Sequence, residues 1–74
     1  MNWQDFISVS PGVRSGKPCL IGTRVTVTDV LEYLASGMTE AEILTDFPYL
    51  RPEHIKAVRA FAAERERQLS GPAA

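Results

Sequence analysis

"TVTDVLEYLASGMTEAEILTDFPYLRPEHIKAVRAF", residues 26–61, decides the fold. Val27, Val30, Leu31 and Leu34 recur at i, i+3, i+4 and i+7, the spacing that lines up one apolar stripe on a helix. Thr26 and Asp29 stand where a capping box needs them: a hydroxyl accepting a backbone N–H three residues on, and a carboxylate reaching back. Gly37 supplies the left-handed stop. The pattern then repeats. Thr39 and Glu42 form a second box ahead of Ile43, Leu44 and Phe47, and Pro48 closes that helix after about two turns. Pro52 opens a third helix at the one position where its missing N–H costs nothing, and Ile55, Val58, Phe61 and Ala62 are expected to face inward.

Helix, short helix, tight joint and longer helix predict a mainly α fold, a trihelical helix-turn-helix bundle of the homeodomain-like kind. The joint, "DFPYLRP", is as short as such units use.

Upstream, "PGVRSGKPCLIGTR", residues 11–24, invites a phosphate-loop reading that the spacing defeats. Three residues separate Gly12 from Gly16, and Pro18 stands after Lys17 where a magnesium-binding hydroxyl is required. Gly16 and Gly22 are read instead as backbone positions of positive φ or close approach. Leu20-Ile21 and Arg24-Val25 flank Gly22-Thr23, which suggests a two-residue type II′ hairpin turn. The predicted organisation is one domain over residues 1–69, with a β arm and hairpin over 1–25 and the three-helix bundle over 26–69. The tail, 70–74, is expected to be disordered.

The chain has 74 residues and a net charge of −1. A domain this small buries only about 60% of the surface its unfolded chain exposes, so oligomerisation is an expected source of stability. Trp3, Phe6 and Ile7 form an apolar knot that either folds back on the helices or pairs with the same segment of a second copy. A homodimer through these three residues is the expectation. Charge is unevenly spread: residues 1–50 sum to −3 and residues 51–74 to +2. No apolar run approaches the ~20 residues that span a bilayer, a lone cysteine forms no internal disulfide and no signal peptide is evident, so a cytoplasmic protein is expected.

The blocks "SPGVRSGKPCLIGTRVTV", "LEYLASGMTEAEILTDFP" and "LRPEHIKAVRAFAAER" together resemble the family known as domain of unknown function 433. The resemblance rests on a Gly-Lys-Pro, a Gly-Thr-Arg, an alanine–glycine helix stop, an acidic short helix ending in an aromatic and Pro, and a Pro-Glu helix start. It implies a small helix-turn-helix-like bundle with an N-terminal β arm, commonly encoded beside a PIN-like ribonuclease and regarded as a VapB-type antitoxin. Arg51 departs from the pattern, standing where the family usually has Thr. Its side chain cannot accept the free N–H groups of a helix start, a loss of about 1 kcal/mol.

A helix-turn-helix reads bases with the exposed N-terminal part of its last helix. On a helical wheel centred on Ile55, Val58 and Ala62, the outward face carries Glu53, Lys56, Ala57, Ala60, Glu64 and Arg67, and the alanines would permit close approach. Arg51, His54 and Lys56 are thus the candidate DNA contacts on this helix, with Arg14, Lys17 and Arg24 as candidates in the loop and hairpin. Ordinary helix-surface charge pairs explain many of the same residues. Cys19 and His54, the single thiol and single imidazole, compose no nucleophilic pair. Zinc ligands at tight spacing are missing. No enzyme activity, metal, cofactor or small-molecule substrate is expected.

The functional expectation is an antitoxin-like module that neutralises a PIN-like ribonuclease toxin by binding it, and that also binds operator DNA as a dimer. The alternative is a stand-alone DNA-binding transcriptional regulator, with a small enzyme subunit far behind.

Overall fold

The computed structural model of the chain describes residues 2–10, 12 and 16–70. A 3₁₀ turn at Trp3–Asp5 leads into strand β1 (Ile7–Ser8), followed by strand β2 (Cys19–Leu20) and helices α1 (Val27–Ala35), α2 (Glu40–Asp46) and α3 (Pro52–Ser70). The protein is mainly helical, with one small antiparallel two-stranded sheet in which Ile7 pairs with Leu20 and Ser8 with Cys19.

Each of the first two helices begins and ends as its local sequence dictates. Thr26 Oγ1 accepts from the Asp29 N–H at 3.0 Å while the Thr26 N–H donates to the Asp29 carboxylate at 3.1 Å. Thr39 and Glu42 make the same reciprocal pair at 3.1 and 2.8 Å. The Thr39 N–H that donates to the Glu42 carboxylate, and after it the Thr39 hydroxyl close by, favour the charged form and lower the Glu42 pKa from the usual carboxylate value. After α1, Gly37 takes φ 101°. The Met38 N–H then reaches the Tyr33 carbonyl and the Gly37 N–H the Leu34 carbonyl, each at 3.1 Å. These are the two bonds of a Schellman stop.

The turn before α1 lies one residue earlier than the spacing suggested. The Thr23 N–H donates to the Leu20 carbonyl at 3.1 Å, which makes Gly22, at φ 80°, the third residue of the turn. A type II turn demands positive φ there, whereas type II′ demands it at the second residue. Thr23 Oγ1 reinforces the turn, donating to the Leu20 carbonyl at 2.9 Å and accepting from the Val25 N–H at 3.0 Å. The expected hairpin arm, Arg24-Val25, forms no strand; a single bridge joins Cys19 to Thr26. The partner strand of β2 is β1. Gly16 also has φ 80°, in keeping with its reading as a backbone residue.

Every element contributes to one hydrophobic cluster. Its fully buried centre is Leu20 from β2, Val30 from α1, Ile43 from α2, and Ile55 and Val58 from α3. Ile7, Val25, Val27, Leu50, Ala57 and Phe61 complete it. Truncating any of the large aliphatic side chains to alanine should cost about 2–5 kcal/mol, a large share of what a domain of this size holds in reserve.

The leading segment is not a free extension. Ile7 is only 3% exposed, Trp3 stands edge-on to Phe61 with ring centroids 4.8 Å apart, and its indole N–H donates to the Glu64 carboxylate. Phe6 lies edge-on to the His54 ring at 5.4 Å. Of the two arrangements open to Trp3, Phe6 and Ile7, the single chain adopts the fold-back, with Ile7 buried and Trp3 and Phe6 half-buried. Two large aromatics half-covered by the chain's own third helix gain part of the burial and edge contact that stabilise the leading segment.

Helix α3 runs on to Ser70, so the first residue of the expected tail is helical; residues 71–74 lie outside the described residues. No helix among the described residues is long and apolar enough to cross a membrane.

Candidate nucleic-acid interface

Helix α3 starts without a capping side chain at Arg51, and the chain solves the problem from the other end of the turn. His54, three residues on, accepts the Arg51 N–H on Nδ1 at 2.9 Å, while its own N–H donates to the Arg51 carbonyl at 2.9 Å. This is the backward half of a capping box with imidazole in place of the usual Glu or Gln. His54 was a candidate base-reading residue; one of its ring nitrogens is engaged in holding the helix start, and its ring edge packs with Phe6.

The exposed face of α3 is turned from where the apolar spacing put it. Ala57, expected outside, is completely buried, and Glu64 is half-buried beneath the Trp3 indole. The 3₁₀ turn and Phe6 cover that flank, so the outward face shifts round the helix to Lys56, Arg59, Ala63 and Arg67. All four are exposed, and their spacings of three and four residues put them in one stripe. Arg59 donates from Nη2 to the Glu40 carboxylate of α2 at 3.2 Å, with about half of each side chain exposed. A pair so wet is worth little, so it leaves Arg59 free to exchange Glu40 for another anion.

Sequence reasoning missed Arg59, although it stands three residues from Lys56. The signal that would have found it is the apolar Trp-x-x-Phe-Ile at the N-terminus, which needs a flank of some helix to lie on.

The remaining candidates lie elsewhere. Arg51 and Lys56 are exposed at the start of α3, and Lys17 is exposed just before β2. Arg24 is exposed in the turn and, with Gly22, Thr23 and Tyr49, lines a shallow depression of about 510 Å³. The fold thus brings Arg24 beside the joint between α2 and α3, two residues before Arg51. Arg14 lies outside the described residues. Tyr49 is a second residue that sequence reasoning passed over. It is 57% exposed and held edge-on by Phe47 at 6.2 Å, which in turn stacks on Tyr33 at 5.5 Å.

Cys19 is buried in β2, and His54 opens α3. Among the described residues no group of three or more His, Cys, Asp or Glu is placed to hold a metal ion.

Comparison with known proteins agrees with this architecture. Residues 7–62 match the family described as protein of unknown function DUF433, and the chain belongs to that family. It is similar to the crystal structure of a DUF433 member protein from Anabaena variabilis, with a TM-score of 0.81 and 27% identity. The match covers 90% of this chain and 66% of that one, so the relative is the longer protein. No curated protein matches the chain closely enough to carry a comparison.

Proposed function

We propose that this DUF433 member binds double-stranded DNA through α3, acting as the second helix of a helix-turn-helix whose first helix is α2. The observation that carries this reading is the outward stripe of α3: three cations, Lys56, Arg59 and Arg67, exposed around the small side chain of Ala63. A helix enters the major groove when its outer face is slim enough to approach base edges and cationic enough to replace phosphate counterions. Arg51 and Arg24 extend the same positive surface over the joint.

Overall charge of −1 gives no long-range attraction, so binding is local and depends on those few residues. Titration of a labelled duplex by fluorescence anisotropy at several salt concentrations tests the reading. Three phosphate contacts predict a log–log salt slope of about −3, and replacing Lys56 or Arg67 with alanine should reduce it by about one each. A slope near zero would dispose of a role in DNA binding.

A second reading has its own support. As an antitoxin of the kind the sequence resembles, the chain would also need a surface that grips a PIN-like ribonuclease. The depression lined by Arg24 and Tyr49 suits that task, because Tyr49 is 57% exposed and exposed Tyr and Arg are the residues in which binding energy at protein interfaces concentrates. Co-expression with a neighbouring PIN-like nuclease, the partner that the resemblance implies, should yield a complex in which the nuclease is inactive. Tyr49→Ala should weaken that complex by about 30-fold, equivalent to some 2 kcal/mol. A complex indifferent to both Tyr49→Ala and Arg24→Ala places the grip elsewhere, and failure to co-purify leaves the stand-alone regulator.

A further inference from the structure

Helix α3 outruns the body that supports it. Among its described side chains none beyond Phe61 is buried, yet the helix continues for two more turns to Ser70. Short helical turns without tertiary contacts are marginal in water. Ala62, Arg65, Glu66 and Leu69 share one side of this overhang, and with Val27 and Leu31 of α1 they line an open groove of about 400 Å³. Leu69 stands 77% exposed at its rim.

We infer that the groove is filled by α3 of a second copy, the two helices running antiparallel about a two-fold axis that passes between Arg65 and Glu66. That axis sets Leu69 of each copy against Ala62 of the other, large against small, and Arg65 of each against Glu66 of the other. Both pairs occur twice, as a closed two-fold contact requires. An axis moved half a residue, through Glu66 itself, would oppose Glu66 to Glu66 and Arg65 to Arg67, so charge selects the register. The contact uses a different side of α3 from the one that Trp3 and Phe6 cover.

The arrangement deepens the DNA-binding reading, and only this consequence rests on it. At about 1.5 Å of rise per residue, the first turns of the two α3 helices, around residue 54, lie about 34 Å apart. Successive major grooves on one side of a duplex are about 34–36 Å apart. The stripe of Lys56, Arg59 and Ala63 lies roughly a third of a turn round the helix from the groove-lining side, which directs both copies' stripes to the same side of the dimer.

Sedimentation velocity on the full chain without DNA tests the dimer. At tens of micromolar the wild type should sediment as twice its 8.2 kDa mass. Leu69→Lys and Arg65→Glu should each weaken association by roughly tenfold or more with unchanged circular dichroism, and Arg65→Glu combined with Glu66→Arg should restore it. A wild type that stays monomeric, a dimer indifferent to Leu69→Lys, or a double variant no better than Arg65→Glu would each overturn the inference. DNA is absent from this measurement, so a dimer that fails the salt titration refutes only the DNA-binding reading, and DNA binding by a monomer refutes only the dimer.

Discussion

Replacing His54 with alanine removes two things at once: the Nδ1 acceptor of the Arg51 N–H at 2.9 Å and the ring that Phe6 meets edge-on at 5.4 Å. Loss of a capping acceptor costs about 1 kcal/mol, and an aromatic edge contact is worth about 0.5–1.5 kcal/mol beyond its buried area. His54→Ala should therefore destabilise the fold by about 2 kcal/mol. In a domain of this length each kcal/mol moves Tm by about 4–8 °C, so a fall of about 10 °C or somewhat more is expected. Two companions separate the parts. His54→Gln keeps an oxygen that can accept the Arg51 N–H, as a capping-box glutamine does, and should lose only the ring contact, about half the effect. Arg51→Thr restores the side-chain acceptor and should add about 0.5–1 kcal/mol. Thermal and urea unfolding by circular dichroism measure all three. The reasoning fails if His54→Ala melts with the wild type, or if His54→Gln is as unstable as His54→Ala.

Three further outcomes follow from the same structure. Gly37 has φ 101° and open space where a Cβ would stand, so Gly37→Ala should pay only the backbone cost, about 1–2 kcal/mol, and a variant as stable as wild type would contradict the left-handed stop. The Glu42 pKa is lowered in the folded state, so the stability it contributes is complete above the unfolded carboxylate value and is lost as pH falls through the lowered folded value. The stability gap between wild type and Glu42→Gln should accordingly shrink on acidification, and a gap that stays constant with pH would exclude that linkage. Trp3, the single tryptophan, rests against Phe61; its emission should be blue-shifted in the native protein and shift to the red together with the loss of helical signal. A native spectrum like that of free indole in water would mean that the leading segment is undocked.

The functional readings separate in the same physical terms. A salt slope measures phosphates engaged by α3, whereas co-purification with the nuclease measures the depression lined by Arg24 and Tyr49. The two surfaces share Arg24, so Lys56 and Tyr49 are the positions whose variants tell them apart.

Where the three helices begin and where α1 stops was legible from the sequence, because capping is a contract among residues three or four apart and a glycine's freedom belongs to the glycine. Thr26 with Asp29, Thr39 with Glu42, Pro52 and Gly37 needed no distant partner. The turn at Gly22 was legible as a turn but not in its register, since positive φ suits the second residue of one turn type and the third of another, and only the pairing of Leu20 with Thr23 and Val25 distinguishes them. The outward face of α3 was legible only in part from α3: Lys56 and Arg67 were placed on it, but so was the buried Ala57, and Arg59 and Ala63 were missed. Its own apolar residues allow more than one orientation, and Trp3 and Phe6, about fifty residues away in the chain, pack on the His54, Phe61 and Glu64 side and leave Lys56, Arg59, Ala63 and Arg67 to the solvent. Helix boundaries are set by short-range hydrogen bonds. Which side of a helix meets the world is set by whatever else the chain must hide.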